Sequence, residues 1–269
     1  MKRLTTSTAW LLRLIVLSAA PAAVPTGIGT TGTGQGHDPA TAPATAFPPL
    51  AALFETQVLA EGDQTTAQGQ TPLCWYLWRD DQKVETRTIG GAFSEIWSRD
   101  SEGRISKEQV FPDDRAIVDY YPGDLAAMQK QLSWRHLQSL IDPHALGKYL
   151  KEVSSYKART GLVKVFRGSL GGVSTEVHWL APISLPLLIQ RRDQSRRIVT
   201  RLVETWAVDA APVPRSNTDT LAGYRRVDFA DFGDKEKDPL VRKATRVACL
   251  SHIPLASLKA FGTALSGHR

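Results

Sequence analysis

The chain has 269 residues, of which 42% are hydrophobic and 22% are charged. That balance and length suit a globular protein with a substantial core and exclude global disorder. The formal net charge is +6, yet no basic stripe with interleaved aromatics accompanies it, which argues against nucleic acid as a partner.

The first segment reads as a targeting signal. Residues 1–3 supply a positive n-region, residues 10–20 are apolar except for Arg13, and Ala20-Pro21-Ala22 is a small-x-small pattern. Signal peptidase reads such a pattern, so residues 1–22 are expected to be a signal peptide cleaved near Ala22 on export to the periplasm. Removal of Lys2, Arg3 and Arg13, with no acid among them, takes the charge from +6 to +3. No later stretch approaches the ~20 apolar residues of a spanning helix, so no transmembrane segment is expected after cleavage. Residues 23–47 are a flexible tether by their Gly, Thr, Pro and Ala content. Residues 48–269 read as a single domain.

Leu50, Leu53, Phe54 and Val58 recur at helical spacing and predict an amphipathic helix over 50–59. Five short strands are predicted next, over 73–79, 83–89, 92–99, 104–111 and 115–121. Turn sequences join them as an antiparallel meander. Pro122-Gly123-Asp124 stops the sheet, with Asp124 as a helix N-cap. Leu125, Met128, Leu132, Leu137, Leu140 and Ile141 then mark one apolar helical face. Asp142-Pro143 opens a second short helix, a cap followed by proline at the first position, which turns Leu146, Tyr149 and Leu150 inward. Strands resume over 161–168, 173–180, 185–192, 196–208 and 224–231. An acidic–basic stretch then leads to a final apolar run, strand-like around Cys249.

This order places the chain in the α+β class, with a curved antiparallel sheet and helices covering its concave face. Segments 50–59 and 125–150 are the candidates for that cover. Incomplete cover would leave a ligand-sized apolar cavity.

The second strand set carries a resemblance. Glu176-Val177-His178-Trp179, the Leu185-Pro186 pair opening the next strand, and the return through Ile198, Leu202, Val203 and Glu204 resemble the LolA-like periplasmic lipoprotein carriers and their lipoprotein-sorting relatives. The order of elements from Pro48 to Asp231 is also similar. The resemblance implies a half or incomplete β-barrel with helices as a lid over a hydrophobic cavity. Its implied ligand is a lipid or a lipoprotein acyl chain. No gating residue of the family is carried over.

Seven tryptophans are present. Trp75, Trp97, Trp179 and Trp206, with Leu132 and Leu137 from the lid helix, are the candidate ligand-binding residues. Large aromatics on strands equally fit an ordinary core, and a sugar-stacking platform is a third reading. Cys74 and Cys249 are the two cysteines. In an oxidising compartment they invite one disulfide, and two separate buried thiols are the alternative. Arg191, Arg192, Arg196, Arg197 and Arg201 surround one hairpin tip. They suit an anionic headgroup or acidic partner, or a solvated tip that discourages edge pairing.

Asp228, Asp231, Asp234, Glu236 and Asp238 form an acidic run interrupted by Lys235 and Lys237, without the spacing of a calcium loop. No histidine pair has metal-site spacing, and no nucleophile motif stands out. No cofactor, metal or catalytic residue is therefore expected. The reading is a non-enzymatic periplasmic carrier or binding protein for a hydrophobic small molecule or lipid. An envelope protein-interaction or assembly factor, with a protein partner and a fully packed sheet, is the first alternative. An unrecognised secreted hydrolase is the second.

Overall fold

A computed structural model describes residues 47–60, 71–128, 133–170, 172–193 and 196–250. The signal and tether assignments fall outside these residues, apart from the tether's last residue, Phe47, which is buried.

The first element corrects the sequence reading. Leu50–Ala60 is a strand, β1, not a helix. It pairs antiparallel with Leu73–Arg79 (β2) on one side and with Arg196–Trp206 (β11) on the other. Both faces of β1 are buried, with Leu50, Ala52 and Phe54 on one and Ala51 on the other. A bulge shifts the register between Leu53 and Phe54. Burial on both faces erases the two-residue alternation, and the remaining apolar pattern mimics helical spacing. One of the two segments expected to form the lid is therefore part of the sheet.

The meander follows as expected: Lys83–Thr88 (β3), Ser94–Arg99 (β4), Ile105–Phe111 (β5) and Ala116–Tyr120 (β6). Glycines at the turns carry positive φ, as at Gly90 (70°) and Gly103 (81°), where a side chain would be strained. The long mid-chain helix is broken into Pro122–Ala127 (α1) and Trp134–Ser139 (α2). Asp124 is not the N-cap of α1. It sits at N3, and its Oδ2 accepts from the Tyr121 backbone N–H at 2.8 Å in a capping box. Asp142 caps Pro143–Tyr149 (α3), accepting from the His144 N–H at 2.9 Å, as the sequence predicts.

Leu150–Ala158 (β7) was not predicted. Residues 151–157 are exposed on both faces, because β7 is an outer strand and carries little apolar signal. Gly161–Leu170 (β8), Val173–Leu180 (β9) and Leu185–Arg192 (β10) complete the second set with β11. A four-residue helix, Thr218–Leu221 (α4), precedes Arg225–Asp228 (β12). The final apolar run is helical, Pro239–Leu250 (α5), which corrects the strand-like reading. Asp238 accepts from the Leu240 N–H at 2.8 Å, and proline occupies the first turn. Leu240, Val241, Ala244 and Val247 are its buried side chains, the i, i+4, i+7 stripe of one helix face.

The strands form one curved, unclosed sheet in the order β12-β6-β5-β4-β3-β2-β1-β11-β10-β9-β8-β7. All pairs are antiparallel except β12 with β6. One face carries the main apolar core. Residues of α1, α2, α3 and α5 bury into that core with the strands, so these four helices lie on one side of the sheet, whereas Leu221 of α4 packs against Ile96, Val110 and Ile117 on the other. On the opposite face, Ala51, Tyr76 and Trp78 pack beneath Trp206, Val208, Ala211 and Val213.

Candidate binding site

Alternation along the strands decides which side chains meet the helices. On β2 these are Trp75, Leu77 and Arg79; on β4, Glu95 and Trp97; on β5, Lys107, Gln109 and Phe111; on β6, Val118 and Tyr120. Leu125 of α1, Trp134 and Leu137 of α2, and Leu146 of α3 pack against the apolar members.

Of the candidate ligand-binding residues, Trp75, Trp97, Trp179 and Leu137 share this core and are buried. Trp75 stacks on Phe54 with ring centroids 4.7 Å apart, and its Nε1 donates to Thr56 Oγ1 at 3.1 Å. Trp206 is not brought to them. Position 206 pairs with Ala51, and its ring lies 6.2 Å from Tyr76 on the opposite face. Leu132 lies outside the described residues. Cys74 is a half-buried free thiol with Sγ 4.0 Å from the Pro72 carbonyl. The Cys249 side chain lies outside the described residues.

Two features of this face escaped the sequence reading. The first is Arg79, which is fully buried. Its Nη1 donates to the Gln138 carbonyl at 2.7 Å and to the Ser184 carbonyl at 3.2 Å. Nη2 donates to the Ile183 carbonyl at 2.5 Å, and Nε to the Pro48 carbonyl at 3.2 Å. The guanidinium also lies 5.2 Å from the Phe47 ring. No carboxylate pairs with it among the described residues. Loss of solvent lowers its pKa to about 10, so it stays charged at neutral pH.

Arg79 thus ties three chain segments to β2: the entry to β1, the C-terminal end of α2, and the turn between β9 and β10. Two of these carry non-glycine residues in the left-handed region, Leu140 (φ 65°) and Ser184 (φ 48°). Such conformations persist only where the surroundings hold them. A guanidinium has five donors in a planar fork, which suits several carbonyls at once.

The second feature is a polar inlay on β4–β6. Glu95 and Lys107 are buried and paired at 3.3 Å. Lys107 Nζ also sits 4.1 Å from the centre of the Tyr120 ring and 5.5 Å from that of Trp97. Tyr120 Oη donates to Gln109 Oε1 at 3.2 Å, and burial drives the phenol pKa upward. The sequence does carry a trace of both features. Arg79 falls in the inward register of Trp75 and Leu77, and Lys107 and Gln109 in that of Phe111.

The other motifs have local partners. Arg196 pairs with Asp193 at 3.2 Å and Arg201 with Glu55 at 3.5 Å. Asp231 pairs with Lys235 at 2.6 Å and Asp238 with Arg225 at 2.7 Å. On the opposite face, Glu85 accepts from the Ser216 N–H at 2.7 Å and from Arg87 Nη2 at 2.5 Å. These bonds hold the segment after β11 over a 220 Å³ cleft lined by Tyr76, Arg87, Ile89, Phe93 and Val213. No described helix is long and apolar enough to cross a membrane.

No family model and no curated protein matches the chain. Similar solved structures include an uncharacterized conserved protein from Thermus thermophilus (10% identity, TM-score 0.40, 67% of this chain and 90% of that one). The MucA/MucB complex of Pseudomonas aeruginosa is similar at 13% identity and a TM-score of 0.35, over 64% of this chain and 54% of that one. A domain from Vibrio parahaemolyticus, provisionally assigned as an outer membrane lipoprotein-sorting protein, is similar at 8% identity and a TM-score of 0.28, over 64% of this chain and 88% of that one.

Proposed function

We propose that this chain is a non-enzymatic binding or carrier protein of the cell envelope, whose ligand is hydrophobic and lodges between the sheet and α1–α3. The observation that supports this reading is how the cover is attached. The ends of α2 and of the β9–β10 turn are held to the sheet by one arginine, through main-chain carbonyls. Carbonyl contacts can be broken and remade without repacking side chains. Apart from one further bond, Gln138 Nε2 to the Asp80 carbonyl at 2.8 Å, the core that α1–α3 share with the sheet is apolar and aromatic, and a hydrophobic ligand replaces such contact at little cost. Opening therefore exchanges helix–sheet contact for ligand–sheet contact, with no bond chemistry.

The test is native mass spectrometry of protein purified from the envelope without detergent, followed by solvent extraction. A discrete bound mass that extracts as lipid is the expected result. An unliganded mass, with no uptake of an added fluorescent fatty acid, would sink the reading.

Exposed apolar side chains at the β7–β8 edge favour a second reading as a protein-interaction factor. Val153, Tyr156 and Leu162 are 49%, 42% and 46% exposed there. In that case co-purification would capture a protein in place of the lipid.

A further inference from the structure

We infer that the polar inlay on β4–β6 is the specificity end of the ligand chamber, and that it selects an apolar molecule bearing an uncharged carbonyl oxygen. The inference rests on the binding function proposed above and adds the class of ligand.

Three of the buried N–H donors that meet no partner among the described residues lie on this face, Trp97 Nε1, Trp134 Nε1 and Gln109 Nε2, while Trp78 Nε1 is another on the opposite face. Trp97, Gln109 and Trp134 are 4%, 1% and 6% exposed, so bulk water does not serve them. Buried donors are rarely left unmatched, and each one that is calls for an explanation.

The three belong to one neighbourhood. Lys107 stands opposite Trp97 across the β4–β5 ladder, and Gln109 follows two residues later on the same face. Trp134 lies over Arg99, with the guanidinium 5.2 Å from its ring centre, and Arg99 is two residues beyond Trp97 on the same face of β4. Swapping the ends of the Gln109 amide does not remove the problem. Tyr120 Oη would then meet the nitrogen, and the oxygen would be orphaned instead.

The donors define the ligand's chemistry. Indole and amide N–H groups call for acceptor oxygens. The buried cation beside them is already matched, since Lys107 pairs with Glu95. A carboxylate placed beside Lys107 would face Glu95, which already holds that charge, and the other cation nearby, Arg99, is exposed at the strand end, so burying a carboxylate here is disfavoured. An ester or ketone carbonyl satisfies the donors without adding charge. A glycerolipid ester and a long-chain ketone or quinone share this chemistry.

The experiment is displacement of bound N-phenylnaphthylamine from the mature protein by four probes delivered from cyclodextrin. These are methyl oleate, a long-chain methyl ketone, oleic acid, and an alkene of matched length. The ester or the ketone is expected to bind about five- to tenfold tighter than the alkene, and the acid no tighter than the alkene. Which of the two carbonyl compounds wins distinguishes the sources. Gln109→Met and Trp97→Phe should each reduce the ratio of carbonyl-compound to alkene affinity, and the second variant serves if the first does not fold.

Equal binding of all four probes, or a preference that both variants retain, would overturn the inference while leaving a hydrophobic-binding function in place. A preference for the acid would overturn it by showing that a cation beside the donors is free to pair. If the reporter itself does not bind, the binding function and the inference fall together.

Discussion

Replacing Arg79 with methionine separates its hydrogen bonds from its bulk, because the stem is kept and the donors are lost. Arg79 makes four hydrogen bonds to carbonyls. At ~1.5 kcal/mol each, the lower end for bonds involving a charged group, they contribute about 6 kcal/mol. Burial of the guanidinium opposes this. Its pKa falls from 12.5 to about 10, and at 1.36 kcal/mol per unit that depression corresponds to about 3 kcal/mol. The expected net loss in Arg79→Met is therefore about 3 kcal/mol.

The loss should concentrate where the bonds end, in α2 and the turn at 181–184. Amide exchange there should speed up roughly a hundredfold, since each 1.4 kcal/mol is a factor of ten. Hydrogen–deuterium exchange by mass spectrometry gives the local figure, and urea denaturation the global one. Arg79→Lys, which concentrates its donors at a single point, should fall between the two. An Arg79→Met variant with an unchanged urea midpoint and unchanged protection of α2 would refute the argument that Arg79 holds the cover.

His136 is buried in α2, and loss of solvent depresses its pKa to about 4. An unfolded chain takes up that proton near pH 6.5, so the histidine's contribution is complete above 6.5 and declines as pH falls toward about 4. The decline is at most about 3 kcal/mol; urea midpoints across that window should flatten in His136→Leu, and an unaltered slope would remove His136 as the cause. Leu137→Asp places a charge where a leucine is only 2% exposed, at a cost of about 4 kcal/mol or more. If that variant melts and binds like wild type, α2 is not part of the cover. Gly161 has φ 131°, and a Cβ there would stand 2.5 Å from Pro182 Cγ. Gly161→Ala should therefore lower stability by about 2–3 kcal/mol, visible in the melting temperature.

Local chemistry in the sequence determined much of the architecture. Turn residues and alternation located the meander strands, and the Asp142-Pro143 pair located the start of α3. These signals act within a few residues, so they can be read along the chain. Tertiary structure decided the elements whose surroundings differ from the usual half-buried case. β1 is buried on both faces and took on the pattern of a helix, whereas β7 is exposed on both faces and showed no pattern at all.

The site divides in the same way. Trp75, Trp97, Trp179 and Leu137 were legible as large apolar residues at inward positions. Trp206 was equally legible, yet it lies on the other face, because the bulge in β1–β11 shifts the register by a residue between it and the rest of β11. Arg79 and the Glu95–Lys107 pair carry no sign of burial in the sequence beyond their inward register. What keeps Arg79 buried is partners far along the chain, carbonyls 31 to 105 residues away, whereas Lys107 meets Glu95 12 residues back across the β4–β5 hairpin. A charge is buried only where the fold brings such partners to it, and that depends on strand order, which no local stretch of sequence encodes.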